Sequence, residues 1–129
     1  AGLASALSDL LGPVGGRGIE TAVEVPSGLA LPPDDEALLF RVAQEAVRNA
    51  VAHARPRRLD LTVSENADHV TLSVADDGAG FDPASAVSAG EGHFGLSMLR
   101  DLAAEAGGRL EVDSAPGAGT RVRLEVPRR

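Results

Sequence analysis

Two runs with a strict period of two, separated by one short turn, constrain this chain most. Leu59, Leu61 and Val63, then Val70, Leu72 and Val74, alternate with polar residues on either side of "ENAD". Side chains two apart share a face of a strand, so the pattern predicts a β-hairpin with one buried face. Such a face needs a second layer to cover it. The flanking segments supply the candidates.

"LASALSDLLG" carries Leu3, Leu7, Leu10 and Leu11 at helical spacing and should stop at Gly12-Pro13. "GPVGGRG" then reads as a loop, and Ile19, Thr21, Val23 and Val25 alternate with Glu20, Ala22 and Glu24 as in a strand with one buried face. "PSGLALPPDD" is a connector that offers Asp34 or Asp35 as N-cap for a long helix through His53. Past the hairpin, Leu96, Leu99, Leu102, Ala103 and Ala106 mark a helix ending at Gly107-Gly108. Leu110 and Val112, then Val122, Leu124 and Val126, mark two strands around "SAPGAG". Strand pairs joined by short turns favour an antiparallel or mixed sheet with helices on one face, so the expected class is α+β.

At 129 residues and 13.1 kDa the chain is expected to form one domain. It has no apolar run approaching the ~20 residues of a membrane span, and its start lacks a charged n-region. Cys is absent and the three histidines, at 53, 69 and 93, form no HxxxH pair, which argues against a zinc site. A net charge of −7 with no Trp or Tyr argues against nucleic-acid binding. All twelve basic residues are Arg, so a phosphate contact must come from Arg, backbone N–H groups or a metal.

Four segments could carry chemistry. In "DDGAGF", Asp76 continues the alternation after Val74 and should point into the core; a buried carboxylate needs donors, and a purine's exocyclic amine is one. Gly78 and Gly80 permit positive φ and close backbone approach, although the same residues also suit an ordinary turn. In "GEGHFGLSML", Gly90, Gly92 and Gly95 precede a helix whose free N–H groups favour an anion; a plain loop reads the same way. "PGAGT", with Gly117, Gly119 and Thr120, is a hairpin turn when taken alone. "RVAQEAVRNAVAHA" places Glu45, Asn49 and His53 four apart, a polar stripe that is either solvated surface or a site. The loop from Asp76 to Gly95 runs twenty residues with five glycines, a length usually functional or disordered.

Taken in this order, ExxxN on a helix, DxGxG after a strand, a glycine-flanked loop into "FGL", and GxGT in a last hairpin resemble one family. It is the ATP-binding catalytic domain shared by sensor histidine kinases, gyrase-type topoisomerases, mismatch-repair ATPases and a heat-shock chaperone family. "LLFRVAQEAVRNAVAHA" with "GHFGLSMLRDLAAEAGGRLEVDSAPGAGTRVRLEVP" is similar to the nitrate-sensor-like class of bacterial two-component histidine kinases, across residues 34 to 127.

The resemblance implies a two-layer α/β sandwich (the Bergerat fold), with about three helices on one face of a mixed, mostly antiparallel sheet. Residues 1–129 would form one ATP-binding catalytic domain, 1–33 leading into a motif-bearing core at 34–127. It implies that Asp76 accepts a hydrogen bond from the adenine amino group, with Thr120 supporting it through water. Asn49 would be a Mg²⁺ ligand and, with Glu45, catalytic; Glu45 matches the acid that activates water in the family's ATPases. Gly78 and Gly80 would border the adenine. Gly92 and Gly95 would flank a lid over the triphosphate, with Phe94 and Leu96 at the helix start beneath it.

Many relatives carry a basic residue where this chain has Ala52. The triphosphate would then lean on Mg²⁺, His53, backbone amides and Arg48 or Arg55. His69 falls in a hairpin turn and His93 in the lid. No acceptor-histidine hairpin is recognisable before residue 34, so the fragment is expected to bind Mg-ATP and to phosphorylate a histidine on a separate dimerisation domain of its parent kinase. A response regulator would act downstream. The fragment itself is expected to be soluble, monomeric and cytoplasmic, whether or not its parent is membrane-anchored. Two alternatives stay open: a serine kinase of the same superfamily that sequesters a sigma factor, and a non-catalytic nucleotide-binding module.

Overall fold

The alternating runs and helical stripes resolve into a layered structure in the computed structural model, which describes residues 2–82 and 94–129. In chain order the elements are α1 (Leu3–Gly15), β1 (Glu20–Glu24), α2 (Pro33–Asn49), β2 (Arg58–Glu65), β3 (His69–Asp76), α3 (Phe94–Glu105), β4 (Arg109–Ser114) and β5 (Thr120–Pro127). Between α2 and β2 the helix widens into a π-helical turn over Ala50–Ala54.

Among the described residues the strands form one sheet in the order β1-β2-β3-β5-β4. β1 runs parallel to β2, and the remaining neighbours pair antiparallel. A parallel pair needs a crossover, and α2 with its π-turn provides it. The sheet is therefore mixed and mostly antiparallel, with helices over one face, as expected for α+β. That face carries Leu59, Leu61, Leu72 and Leu124, buried against Leu7, Leu39 and Val42 of the helices. Each such leucine contributes about 1.5–3 kcal/mol on burial. The opposite face presents Asp60, Thr62, Ser73, Arg121 and Arg123 at the alternate positions.

Local chemistry explains where the elements depart from the sequence pattern. α1 does not stop at Gly12-Pro13 but runs to Gly15. Pro13 lacks only the N–H that would bond one carbonyl a turn earlier, while buried Val14 draws the last turn onto the core. α2 is not capped by an Asp side chain. Pro33 opens it, and Asp34, Asp35 and Glu36 lie in its first turn, where carboxylates suit the helix dipole. Asp35 is buried and pairs with Arg129, Nε to Oδ2 at 2.8 Å. Arg129 also donates to the Ala106 carbonyl, so one guanidinium ties the start of α2 to the end of α3. β1 is an edge strand, and its three central residues are all half-buried rather than cleanly alternating.

The hairpin turn between β2 and β3 is held by Asn66, whose Oδ1 accepts the N–H groups of Asp68 and His69 at 2.9 and 2.8 Å. This fixes Glu65 opposite Val70 and carries the register through to Leu59 opposite Asp76. Asp76 thereby arrives at the end of β3 with Thr120 as its partner on β5.

Candidate functional site

A recess, open at one side, lies between the C-terminal end of α2 and the ends of β3 and β5. Asn49 and His53 line it from the helix side, Asp76 and Thr120 from the strands, Gly80 and Phe81 from the loop after β3, and Leu96 from α3. Val74 and Val122 form an apolar floor.

The loop wall is built by close approach. The segment after β3 passes between the π-turn and the β4–β5 turn. On one side Ala79 N–H donates to the Ala54 carbonyl at 2.8 Å. A Cβ at Gly78 would come within 2.4 Å of that same oxygen. On the other side Gly117 N–H donates to the Ala79 carbonyl at 2.6 Å. Gly80 has φ 66°, and a Cβ there would lie 2.1 Å from the Ala115 carbonyl oxygen. Gly119 has φ 75°, and a Cβ there would lie 2.2 Å from the Asp76 carbonyl oxygen. Only residues without a Cβ fit these crossings. Gly80 borders the recess, whereas Gly78 serves the contact with Ala54.

Two adjacent aspartates do different things here. Asp77 Oδ1 accepts backbone N–H groups from Arg58 and Arg57 at 2.9 and 2.8 Å. Those bonds hold its carboxyl below the usual carboxylate range. Asp76 is half-buried at the recess, and burial pushes its carboxyl up. The Gly78 N–H, 2.8 Å from Oδ1, works against that shift, and the neighbouring Asp77 charge adds to it. Asp77 anchors the loop; Asp76 keeps acceptor capacity for a ligand.

Sequence reasoning missed Ser114, the last residue of β4. Its hydroxyl lies 2.9 Å from Phe81 N, 3.0 Å from the Gly119 carbonyl oxygen and 2.8 Å from Thr120 Oγ1. The signal that could find it is register, since Ser114 lies directly opposite Thr120. That pairing is fixed only once β4 and β5 are aligned.

The helix wall divides the polar stripe. Asn49 is 8% exposed, and its Nδ2 has no hydrogen-bond partner among the described residues. Glu45 does not join it in the recess. Both its carboxylate oxygens accept from Arg48, Nε and Nη2 each at 2.7 Å, and it lines a separate groove with Met98 and Leu99. His53 stands at the rim, mostly exposed. Phe94 and Gly95 open α3, and Leu96 reaches the recess. Gly90, Gly92 and His93 lie outside the described residues. His69 sits at the far end of β3, 3.8 Å from Glu125.

No group of three or more His, Cys, Asp or Glu that could hold a metal occurs among the described residues. Mg²⁺ would have to arrive with phosphate oxygens. The unmatched Asn49 Nδ2 can donate to a phosphate oxygen, and the carbonyl oxygen of the same side chain is the kind of hard ligand that suits a cation keeping most of its shell elsewhere.

A one-sided α+β sandwich with an acidic acceptor at a strand end and a buried amide facing it across a recess defines a nucleotide-binding class. Comparison with known proteins narrows it. The profile of the histidine kinase-, DNA gyrase B-, and HSP90-like ATPases matches residues 34–129, and the chain belongs to that family. It is 38% identical over 95 residues to an uncharacterized sensor-like histidine kinase of Chloroflexus aurantiacus, covering 71% of this chain and 16% of that protein. It is 36% identical over 97 residues to the signal transduction histidine-protein kinase/phosphatase DegS of Bacillus subtilis, covering 75% and 25%.

Among solved structures, the histidine kinase domain of the Erythrobacter litoralis EL346 blue-light activated kinase superposes with a TM-score of 0.79 at 25% identity, over 97% of this chain and 58% of that one. Full-length ShkA in complex with AMPPNP superposes at 0.76 and 28% identity, over 98% and 29%. Within the family the chain is thus an ATP-binding domain of the sensor histidine kinase type. It spans about a sixth to a quarter of the length of these two curated relatives.

Proposed function

We propose that this domain binds Mg-ATP in the recess and presents the γ-phosphoryl group to a histidine on a separate dimerisation domain of its parent kinase, with a response regulator downstream. The observation that carries the reading is a pair of polar groups across one recess: a half-buried Asp76 carboxylate with acceptor capacity to spare on the strand side, and on the helix side a buried Asn49 whose Nδ2 has no partner among the described residues. Similarity to ShkA, whose structure contains AMPPNP, supports an adenine nucleotide as the occupant.

On this reading Asp76 accepts the adenine amino group, and Thr120 stands beside it. Asn49 would hold, through its carbonyl oxygen, a Mg²⁺ ion brought in with the phosphates, and that ion would supply charge neutralisation for the transfer. The N-terminal turn of α3, at the mouth, offers backbone N–H groups to the phosphates. Transfer then needs positioning and water exclusion more than covalent chemistry: an acceptor imidazole nitrogen bonds to the γ-phosphorus while the bond to the β-bridging oxygen breaks and ADP leaves.

Glu45, with both oxygens on Arg48, is not placed as a base in this arrangement. Among the described residues no helix is long and apolar enough to cross a membrane, and a domain that consumes ATP belongs on the cytoplasmic side. The reading is tested by mixing the chain with γ-labelled ATP, Mg²⁺ and a dimeric helical hairpin bearing an acceptor histidine. Acid-labile, base-stable label on the hairpin is expected. Acid-stable label on serine of a partner would favour the serine-kinase alternative, and tight ATP binding without transfer would favour a non-catalytic module.

A further inference from the structure

The Ser114 hydroxyl has one proton and two candidate acceptors for it, the Gly119 carbonyl oxygen and Thr120 Oγ1. A serine hydroxyl has one proton and two lone pairs. Phe81 N–H can only donate, so one lone pair receives it at 2.9 Å. The Gly119 carbonyl can only accept, so the Ser114 proton goes to it at 3.0 Å. Gly119 is buried, and a buried carbonyl left unpaired is costly, which fixes that choice. The third contact, 2.8 Å to Thr120 Oγ1, must then take its proton from Thr120. Thr120 is left with lone pairs alone to show the recess, next to the Asp76 carboxylate on the neighbouring strand.

We propose that Ser114 is a positioning residue for base specificity: by accepting the Thr120 proton it leaves Thr120, like the Asp76 carboxylate, able only to accept where the two residues meet the 6-position of a purine, which selects a 6-amino group and rejects a 6-oxo group. The inference rests on the reading that the recess holds a purine nucleotide. Ser114 also holds Phe81 N–H, so the same hydroxyl fixes the segment leading out of the recess.

The test is calorimetric titration of the chain with ATP and with ITP, both in EDTA so that no metal or transfer chemistry contributes. In the wild type ATP binds more tightly. In Ser114→Ala the Thr120 hydroxyl is free to turn its proton into the recess, and the ratio of the two dissociation constants should fall about five- to tenfold, one neutral hydrogen bond's worth. Ser114→Thr, which keeps a hydroxyl, should restore the wild-type ratio. Adding Thr120→Val to Ser114→Ala should remove the gained ITP binding, because the turned proton is gone.

If the alanine variant does not fold, Ser114→Cys carries the same comparison with a weak donor and acceptor. Equal loss for ATP and ITP, with the ratio unchanged, would overturn the inference and leave Ser114 a structural residue. Failure of the wild type to bind ATP at all would instead overturn the functional reading beneath it.

Discussion

The two walls of the recess are built on opposite terms. On the strand side polar groups are tied to one another: Asp77 to two backbone N–H groups, Ser114 to three partners, Gly80 and Gly119 crossed at distances that admit no Cβ. On the helix side Asn49 is buried with an amide nitrogen unmatched, at the point where α2 widens into a π-turn. A satisfied wall is rigid and can discriminate shape and polarity. An unsatisfied one is held in place by its surroundings at a cost, and the cost falls when a ligand arrives. In the proposed function this difference corresponds to base recognition on the strands and metal-phosphate contact on the helix.

The strongest way to break the strand wall is to add a Cβ. Gly119→Ala should cost about 3 kcal/mol or more in denaturant unfolding, because strain at φ 75° adds to a clash 2.2 Å from the Asp76 carbonyl. Gly117→Ala, at φ 77° with nothing within 4 Å, isolates the backbone strain and should cost about 1 kcal/mol. Equal losses would mean that the crossing is not close-packed.

A smaller effect is expected at the clamp that joins α2 to α3 behind the helix wall. Asp35→Ala removes a buried carboxylate from Arg129, which is itself 42% exposed, so solvent screening limits the loss to about 1–2 kcal/mol. An unchanged unfolding midpoint would show that Arg129 holds the Ala106 carbonyl just as well alone.

The smallest effect is on pH dependence, and it separates the two aspartates. Asp77 has a lowered folded pKa, so its stabilisation is present above the ordinary carboxylate range and lost as pH falls through the depressed value. The wild type should therefore outlast Asp77→Asn near neutrality, with the gap closing in acid. Asp76 has a raised folded pKa, so its contribution to stability is present at low pH and lost as pH rises through that value. Its acceptor role is the reverse, and ATP affinity should weaken on acidification before the Asp77 advantage disappears. Titrating binding and unfolding midpoint on the same samples tests the order, and simultaneous loss would contradict it.

Most of the architecture was legible in the sequence because period-two runs and helical stripes report burial directly. The α+β class, the mixed sheet and the hairpin at "ENAD" all follow from Leu59 to Val74 and its neighbours. The misreadings fall where tertiary contacts override local signals: Pro13 inside α1, Pro33 rather than an Asp opening α2, and the edge strand β1 without a clean face. At the site, Asp76, Asn49 and Thr120 were legible as motif residues and the structure lines one recess with them. The ExxxN spacing and the family resemblance both group Glu45 with Asn49, whereas its carboxylate goes to Arg48 here, a pairing that i,i+3 neighbours on a helix readily make. Asp77 is illegible because its partners Arg57 and Arg58 are 20 and 19 residues away, and Ser114 because its Phe81 partner is 33 residues away and its pairing with Thr120 is fixed only once β4 and β5 are in register.

The division of labour between the walls is tested most directly by calorimetry of ATP binding to the wild type, Asp76→Asn and Asn49→Ala, each with Mg²⁺ and again with EDTA. The account predicts that Asp76→Asn loses about a hundredfold in affinity under both conditions, since the asparagine amide can present a donor where the adenine amine needs an acceptor. Asn49→Ala should lose about tenfold with Mg²⁺ and little with EDTA. If Asn49→Ala lost as much in EDTA as in Mg²⁺, or if Asp76→Asn bound ATP as tightly as the wild type, the assignment of the two walls would be wrong.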